Sequence, residues 1–346
     1  MSQPNNTMKK SYLELNTNEI DSLLTVLGES SFRAEQIHNW IYDHGVVSWG
    51  EMENLPQSLR DSLENMIPLH PLRIIKISGS DSKSTRKYLF ETLDGQNIES
   101  VLMNDRKRTT VCISSQVGCA VDCKFCATAS MGFIKNLSVG EIVDQVIHLQ
   151  TQSKSRITNV VFMGMGEPFL NYKSVIEAAK ILSQEMGFGA RRITISTVGI
   201  VPKIRQLADE DHKYKLAISL NGTDEKSRNT IMPITKTHSL KSLIESAHYY
   251  YKKIRRFITF EYVLLKDVND SPEDGERLID LLRSLPCKVN VIPYNEIGGK
   301  YNRPKEDKIH AFLHSLKHAP FTVTVRWSKG TDIDAGCGQL AVKDLA

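Results

Sequence analysis

A chain of 346 residues, 40% hydrophobic and 24% charged, has the composition of an ordinary soluble globular protein and can hold one large α/β domain plus a small extra module. No apolar run approaches the roughly 20 residues needed to cross a bilayer, and the first fifteen residues, MSQPNNTMKKSYLEL, lack the apolar stretch of a signal peptide. A cytoplasmic protein with six reduced cysteines is therefore expected, and a net charge of +4 neither demands nor excludes nucleic acid.

The first 70 residues read as short helices. Residues 18–27 and 34–42 carry apolar side chains at helical spacing, with Asn18 and Ser31 as candidate caps and Trp40, Ile41 and Trp49 as packing residues. From Leu72 the period changes. Segments 73–78, 86–92 and 97–103 alternate and are separated by the turn-rich SGSDSKS and DGQ, which predicts β-hairpins. Strands then alternate with helices: strands at 109–115, 159–163, 192–197, 215–220, 257–264 and 288–293, and helices at 138–152, 173–185, 201–208, 240–252 and 272–285. Six β/α units imply an α/β fold with a parallel sheet, curled into a partial (β/α)6 barrel open enough for a large substrate. On pattern alone a doubly wound open sheet also fits. Either way ligands belong at the C-terminal ends of the strands. The expected organisation is a helical accessory module at 1–70, a β-hairpin extension at 71–108 and a barrel with a C-terminal tail at 109–340.

The densest chemical signal is Cys119, Cys123 and Cys126, spaced Cys-x-x-x-Cys-x-Phe-Cys just beyond the first barrel strand. Three thiolates within eight residues can hold a four-iron cluster while leaving one iron open for chemistry; a cluster built only for electron transfer normally takes four Cys. A structural zinc would want a fourth ligand from a second pair, and no such pair follows. The ten His residues show no pairing at metal-ligand spacing. Gly164-Met165-Gly166-Glu167 follows the second strand; a tight turn is the plain alternative to a ligand-binding loop. Ser196, Ser219-Leu220-Asn221 and Asn295 fall at strand ends, where single polar residues often serve as caps. Basic clusters lie at Arg106-Lys107-Arg108, Arg191-Arg192, Lys252-Lys253 with Arg255-Arg256, and Lys300, Arg303, Lys305 and Lys308. Such clusters are usually solvated surface, and from charge alone they leave RNA contact open.

Four ordered motifs, VCISSQVGCAVDCKFCATASMGF, FMGMGEPFLN, RRITISTVGIVP and TDIDAGCGQL, resemble the RNA adenine methyltransferases of the radical S-adenosylmethionine (SAM) superfamily over about residues 32–340. The resemblance implies a [4Fe-4S] cluster on Cys119, Cys123 and Cys126, and SAM chelating the open iron to yield a 5′-deoxyadenosyl radical. It further implies SAM contacts at Gly166, Glu167, Ser196, Ser219, Leu220, Asn221 and Asn295, with Phe125 near the adenine. The family often has His where this chain has Asn221. An adenine ring carbon is not nucleophilic, and the family's answer is a second thiol. By resemblance Cys337, in Ala-Gly-Cys-Gly-Gln-Leu, accepts a methyl from one SAM, and a second SAM supplies the radical that activates it. Glu99 then removes the ring proton, and Cys112 attacks Cys337 to free the RNA through a transient disulfide. Alone, Cys112 would read as a buried strand residue, as Cys287 does. The usual family residue at 336 is Ala rather than Gly. The implied reaction is methylation of carbon 2 of an adenosine in 23S rRNA and tRNA, by a monomer served by an electron donor such as flavodoxin. The alternatives are methylation at carbon 8, or a zinc-bearing RNA-binding protein without turnover.

Overall fold

The computed structural model describes residues 10–79, 84–105 and 108–342. Arg106 and Lys107 of the first basic cluster lie outside the described residues. Ten strands form one sheet, and its order explains the rest of the architecture. Strands β1 (Leu72–Ser78), β2 (Thr85–Thr92), β3 (Asn97–Asp105) and β4 (Arg108–Ile113) pair antiparallel in sequence order. A small separate hairpin follows, β5 (Gln116–Gly118) with β6 (Phe133–Asn136). From β4 onward the large sheet is parallel: β7 (Asn159–Phe162), β8 (Ile193–Thr197), β9 (Lys215–Ser219), β10 (Ile258–Leu264), β11 (Cys287–Pro293) and β12 (Thr322–Val325). Spatial order equals chain order throughout, with no reversal of direction, so this is a partial open barrel and not a doubly wound sheet, whose strand order turns back at a switch point.

The six expected parallel strands are present within a residue or two, and a seventh, β12, was not anticipated. Crossovers run through α4 (Val139–Thr151), α5 (Tyr172–Gln184), α6 (Val201–Asp209), α7 (Glu225–Ile231), α8 (Leu240–Ile254), α9 (Pro272–Leu282) and α10 (Glu306–Ser315). One face of the parallel strands is fully enclosed, at Ile193, Ile195, Leu216, Ile218, Phe260 and Tyr262, while alternating residues such as Ser196, Ser219 and Val263 are half-buried. Among the described residues no helix is long and apolar enough to cross a membrane.

The amino-terminal segment forms α1 (Thr17–Val26), α2 (Phe32–Asn39) and α3 (Gln57–Met66). The cap of α1 is Asn16, not Asn18: Asn16 Oδ1 accepts from Glu19 N–H at 3.1 Å, and the Glu19 carboxylate accepts from Asn16 N–H at 2.8 Å. Reciprocal satisfaction of two donors favours that residue. Ser31 precedes α2 but is already helical and makes no capping bond. Ile41 and Trp49 are buried in this module, whereas Trp40 is half-exposed.

A buried polar clasp holds the module to the barrel. His70 Nδ1 faces Asp144 Oδ1 of α4, and His70 Nε2 faces the Val46 carbonyl at 3.1 Å. Both partners are acceptors, so both ring nitrogens donate and the imidazole is protonated. Burial alone would lower the His70 pKa, but Asp144 outweighs it and holds the group above its ordinary value. Leu72 N–H donates to Asp144 Oδ2 at 3.0 Å, and His148 donates from Nε2 to the Leu72 carbonyl at 3.1 Å. Fold geometry thus joins two His that sequence spacing kept apart. Their ligand-type atoms and those of Asp144 lie within 4.8 Å of one another, but each is already spent on a hydrogen bond.

Candidate active site: a thiol-lined cavity at the open end of the barrel

The three clustered cysteines ride on the connection between β5 and β6. Gly118 has φ of +70°, and a Cβ there would come 1.8 Å from the Gly132 carbonyl oxygen, so only glycine lets the two ends of the loop close. Cys119 N–H then donates to Gly132 O at 2.8 Å, and Cys126 N–H to Cys123 O at 3.1 Å. Cys119, Cys123 and Cys126 all line one cavity, with Glu167, Ser196 and Ser219 across from them. Burial pushes Cys119 to about 12, Cys123 well up and Cys126 up. The thiols are neutral by themselves, and a metal or cluster would take them as thiolates, releasing protons. Three convergent soft donors and no fourth on the same loop fit a cluster with one open corner.

Opposite the loop, Gly166 has φ of +94°, and a Cβ there would lie 2.5 Å from Gln116 Cβ. The bare backbone lets the β7–α5 turn press against β5. Glu167 follows, buried and lining the cavity, its oxygens accepting from Phe169 N–H at 2.9 Å and Val198 N–H at 2.8 Å. Burial raises its pKa to about 7 against the lowering effect of those donors. Ser196, Ser219 and Asn221 also line the cavity, as does Phe125. Asn221 takes φ of +55°, and its Oδ1 accepts from Val263 N–H at 2.8 Å, so the side chain pins β10 as well as facing the cavity.

Leu220 and Asn295 do not line it. The Leu220 carbonyl accepts from Arg228 Nε at 2.9 Å, and Asn295 Nδ2 donates to the Cys337 carbonyl at 3.0 Å and to Ser328 Oγ at 2.8 Å. Asn295 is therefore a tether for the C-terminal tail. Arg228 is wholly buried and also reaches Val198 O at 2.6 Å and Thr235 Oγ1 at 2.8 Å, tying the strand ends together. Sequence reasoning missed it because α7, with Ile231 as its only apolar residue, has no helical stripe.

The tail crosses the open side of the barrel. Ala127 N–H donates to Gly338 O at 2.7 Å, and Thr128 Oγ1 to Leu340 O at 2.6 Å. This seats Cys337 on the large cavity and on a smaller adjoining one, which Cys112, Cys126, Met163 and Arg326 also line. Burial, with Cys337 adding to it and Arg326 opposing, pushes Cys112 to about 12. The fold thus brings Cys112, Cys337 and the three-cysteine loop together, while Cys287 is buried elsewhere in β11.

Glu99 is set apart from both cavities. It is buried behind the tail, ion-paired to Lys87 at 2.8 Å and accepting from Ala341 N–H at 2.9 Å. The basic clusters also divide. Arg108, Arg192, Arg256 and Lys288 surround Lys215 at the strand starts, where burial and then their charges lower its pKa; that end is opposite the cavity. Lys300, Arg303, Lys305 and Lys308 follow β11, at the cavity end.

Residues 113–282 match the family described as the Radical SAM superfamily, and residues 11–69 match the ribosomal RNA large subunit methyltransferase N-terminal domain. The chain is 44% identical over 335 residues to the probable dual-specificity RNA methyltransferase RlmN of Dictyoglomus thermophilum, covering 95% of each. It is 43% identical to the dual-specificity RNA methyltransferase RlmN of Syntrophobacter fumaroxidans, covering 94% of this chain and 96% of that one. A crystal structure of a radical SAM methyltransferase from Sphaerobacter thermophilus superposes with a TM-score of 0.90 at 42% identity, covering 95% of this chain and 98% of that one.

Proposed function

We propose, from the premise that this chain belongs to the dual-specificity RNA methyltransferase family of the radical SAM superfamily, that it methylates carbon 2 of an adenosine in 23S rRNA and in tRNA. The observation that carries the reading is the seating of Cys337 and Cys112 beside the three-cysteine loop. A cluster alone needs neither thiol. The family's cofactors are a [4Fe-4S] cluster and SAM, which together supply a 5′-deoxyadenosyl radical. Cys119, Cys123 and Cys126 hold the cluster. Gly166, Glu167, Ser196, Ser219 and Asn221 form the SAM side of the cavity, where the Glu167 carboxylate meets an ammonium group; Leu220 and Asn295, set back from it, act through the strand end and the tail they hold.

Within that setting Cys337 Sγ carries the methyl to the base. Cys112, waiting as a neutral buried thiol, would lose its proton and attack Cys337 Sγ, forming a Cys112–Cys337 disulfide while the electron pair of the broken sulfur–carbon bond stays with the transferred carbon, which takes up a proton to become the methyl group. Glu99 takes the ring proton. Because Ala341 N–H and the tail separate Glu99 from the cavity, the reading requires the tail to lift when RNA is in place. The helical module at 1–70 and the cavity-side cations Lys300, Arg303, Lys305 and Lys308 grip phosphates, which position a substrate without reading its sequence. The β-extension at 71–108 carries Glu99, and the barrel at 109–340 carries the rest. The protein works in the cytoplasm as a monomer with a donor such as flavodoxin.

The test is anaerobic incubation of the reconstituted protein with ribosomal RNA, tRNA and labelled SAM, followed by mass analysis of nucleosides. 2-Methyladenosine is expected. 8-Methyladenosine as sole product, or a colourless protein with one zinc and no SAM cleavage, would overturn the reading.

A further inference from the structure

One buried acid in the cavity has no part in the scheme above. Glu261, at the middle of β10, is about 6% exposed and lines the large cavity. Its Oε1 accepts from Asn290 Nδ2 on the neighbouring β11 at 3.0 Å, whereas Oε2 is buried and has no hydrogen-bond partner. A buried carboxylate oxygen without a donor is costly, and such groups ordinarily mark a place where a ligand supplies one. Lys or Arg is the usual remedy inside a protein, yet among the described residues no ion pair within 4.0 Å joins Glu261 to Arg326, the cation that acts on its charge. Arg326 instead faces the two thiols: Cys337 is the largest influence on its charge, and Cys112 and Glu261 contribute as well. Glu261 thus shares its cavity with Cys337 and Arg326, beside Ser219, its register partner on β9, while Cys112 lines the adjoining cavity with the same two residues. Burial raises the Glu261 pKa, and Arg326 and the Asn290 hydrogen bond oppose the rise.

Resting on the proposed RNA methylation, we infer that Glu261 is the specificity residue for the reacting base, its Oε2 accepting a hydrogen from the exocyclic 6-amino group of adenine. The chemistry discriminates by sign. Adenine offers an N–H donor at position 6, where guanine and hypoxanthine offer a carbonyl oxygen that a carboxylate repels. A site that hydrogen-bonds a substrate group rejects analogues lacking it far more strongly than a shape-only pocket does. A SAM ribose hydroxyl could also donate to a carboxylate, so the measurement has to separate the two donors.

The experiment uses the reconstituted protein and an RNA oligonucleotide spanning the modified position once nucleoside mapping has given it. That position carries adenosine, purine riboside or inosine, all of which keep the carbon 2 hydrogen. Wild-type kcat/KM should fall from adenosine to purine riboside to inosine, with adenosine over inosine on the order of 100-fold or more. In Glu261→Gln, whose amide can donate to a carbonyl, that ratio should shrink at least about tenfold. In Glu261→Asp the ratio should persist at a lower overall rate. S-methylation of Cys337 by SAM without RNA, read by intact mass, should be the same in Glu261→Gln and wild type. Equal slowing of all three RNAs in Glu261→Gln would reduce Glu261 to a structural role and overturn the assignment. So would loss of Cys337 methylation without RNA, which would place the carboxylate on SAM. Failure of the wild type to methylate the adenosine RNA would instead sink the RNA methyltransferase reading, and the assignment with it.

Discussion

Two buried polar clusters in this molecule are built to opposite plans. At the module–barrel junction His70, Asp144, His148 and the Leu72 backbone satisfy one another completely, with a formal charge on each side of the central pair. In the cavity the groups are left wanting: neutral thiols at Cys112, Cys119 and Cys123, and a carboxylate oxygen of Glu261 with no donor. Closed networks fix geometry, and open ones accept ligands. Substitutions at the first should therefore act on stability, and at the second on chemistry.

The largest expected effect is at the open cluster. Cys337→Ala should abolish RNA methylation entirely while changing the free energy of unfolding by less than about 1 kcal/mol. Cys112→Ala should stop the cycle one step later, leaving RNA covalently attached to Cys337 and visible as a shifted band on a denaturing gel. Clean turnover by Cys112→Ala would remove that thiol from the scheme. At the closed cluster the pattern reverses. Asp144→Asn leaves the His70 cation buried without its counter-charge and should cost about 3–5 kcal/mol in denaturant unfolding, with methylation per folded molecule retained. A cost below about 1 kcal/mol would mean that solvent reaches the clasp.

The two clusters also differed in how far the sequence announced them. The three-cysteine loop, Gly166-Glu167, Ser196 and Ser219 sit within or beside strands whose apolar runs are easy to read, so their meeting at strand ends follows from the β/α alternation alone. The clasp could not be read that way. His70 and Asp144 are 74 residues apart, on elements whose docking depends on α4 crossing the sheet. Edge strand β12 is four residues, Thr-Val-Thr-Val, half-buried on one face only, too short to stand out from a loop. The Asn16 cap was legible in principle, since Asn16 stands three residues before Glu19. Glu99 was placed on the correct strand, but nothing local shows that residues 335–341 fold back over it, because that contact spans 242 residues. The free oxygen of Glu261 is of the same kind, a matter of what is missing around it.

A smaller effect tests the packing beside the clasp. A Cβ on Gly140 of α4 would come 2.7 Å from Glu14 Cγ and 2.8 Å from the Leu13 carbonyl oxygen. Gly140→Ala should gain about 1 kcal/mol of helix propensity but lose about 1–3 kcal/mol to overpacking. A net loss in urea unfolding, with faster proteolysis of the amino-terminal module, is expected. Net stabilisation would show that the module shifts without cost.

The weakest effect is the pH dependence of the clasp, and its sign separates the two clusters only within a chosen window. His70 has its folded pKa raised by Asp144, so its contribution is full below the unfolded value of about 6.5 and is lost as pH rises through the folded value. Asp144 has its folded pKa lowered, through His70 and His148 against burial, so its contribution is full above about 3.9 and is lost as pH falls through the folded value. The clasp therefore stabilises most between about pH 4 and 6.5. The cavity thiols, raised by burial, also lose stability with rising pH, but only beyond about 8.5, where unfolded cysteines ionise. Unfolding free energies of wild type and His70→Gln, compared between about pH 5.5 and 8, should converge as pH rises. A constant gap would mean that His70 acts through hydrogen bonding and shape, with no charge on the ring, and the junction would then be closed by geometry rather than by electrostatics.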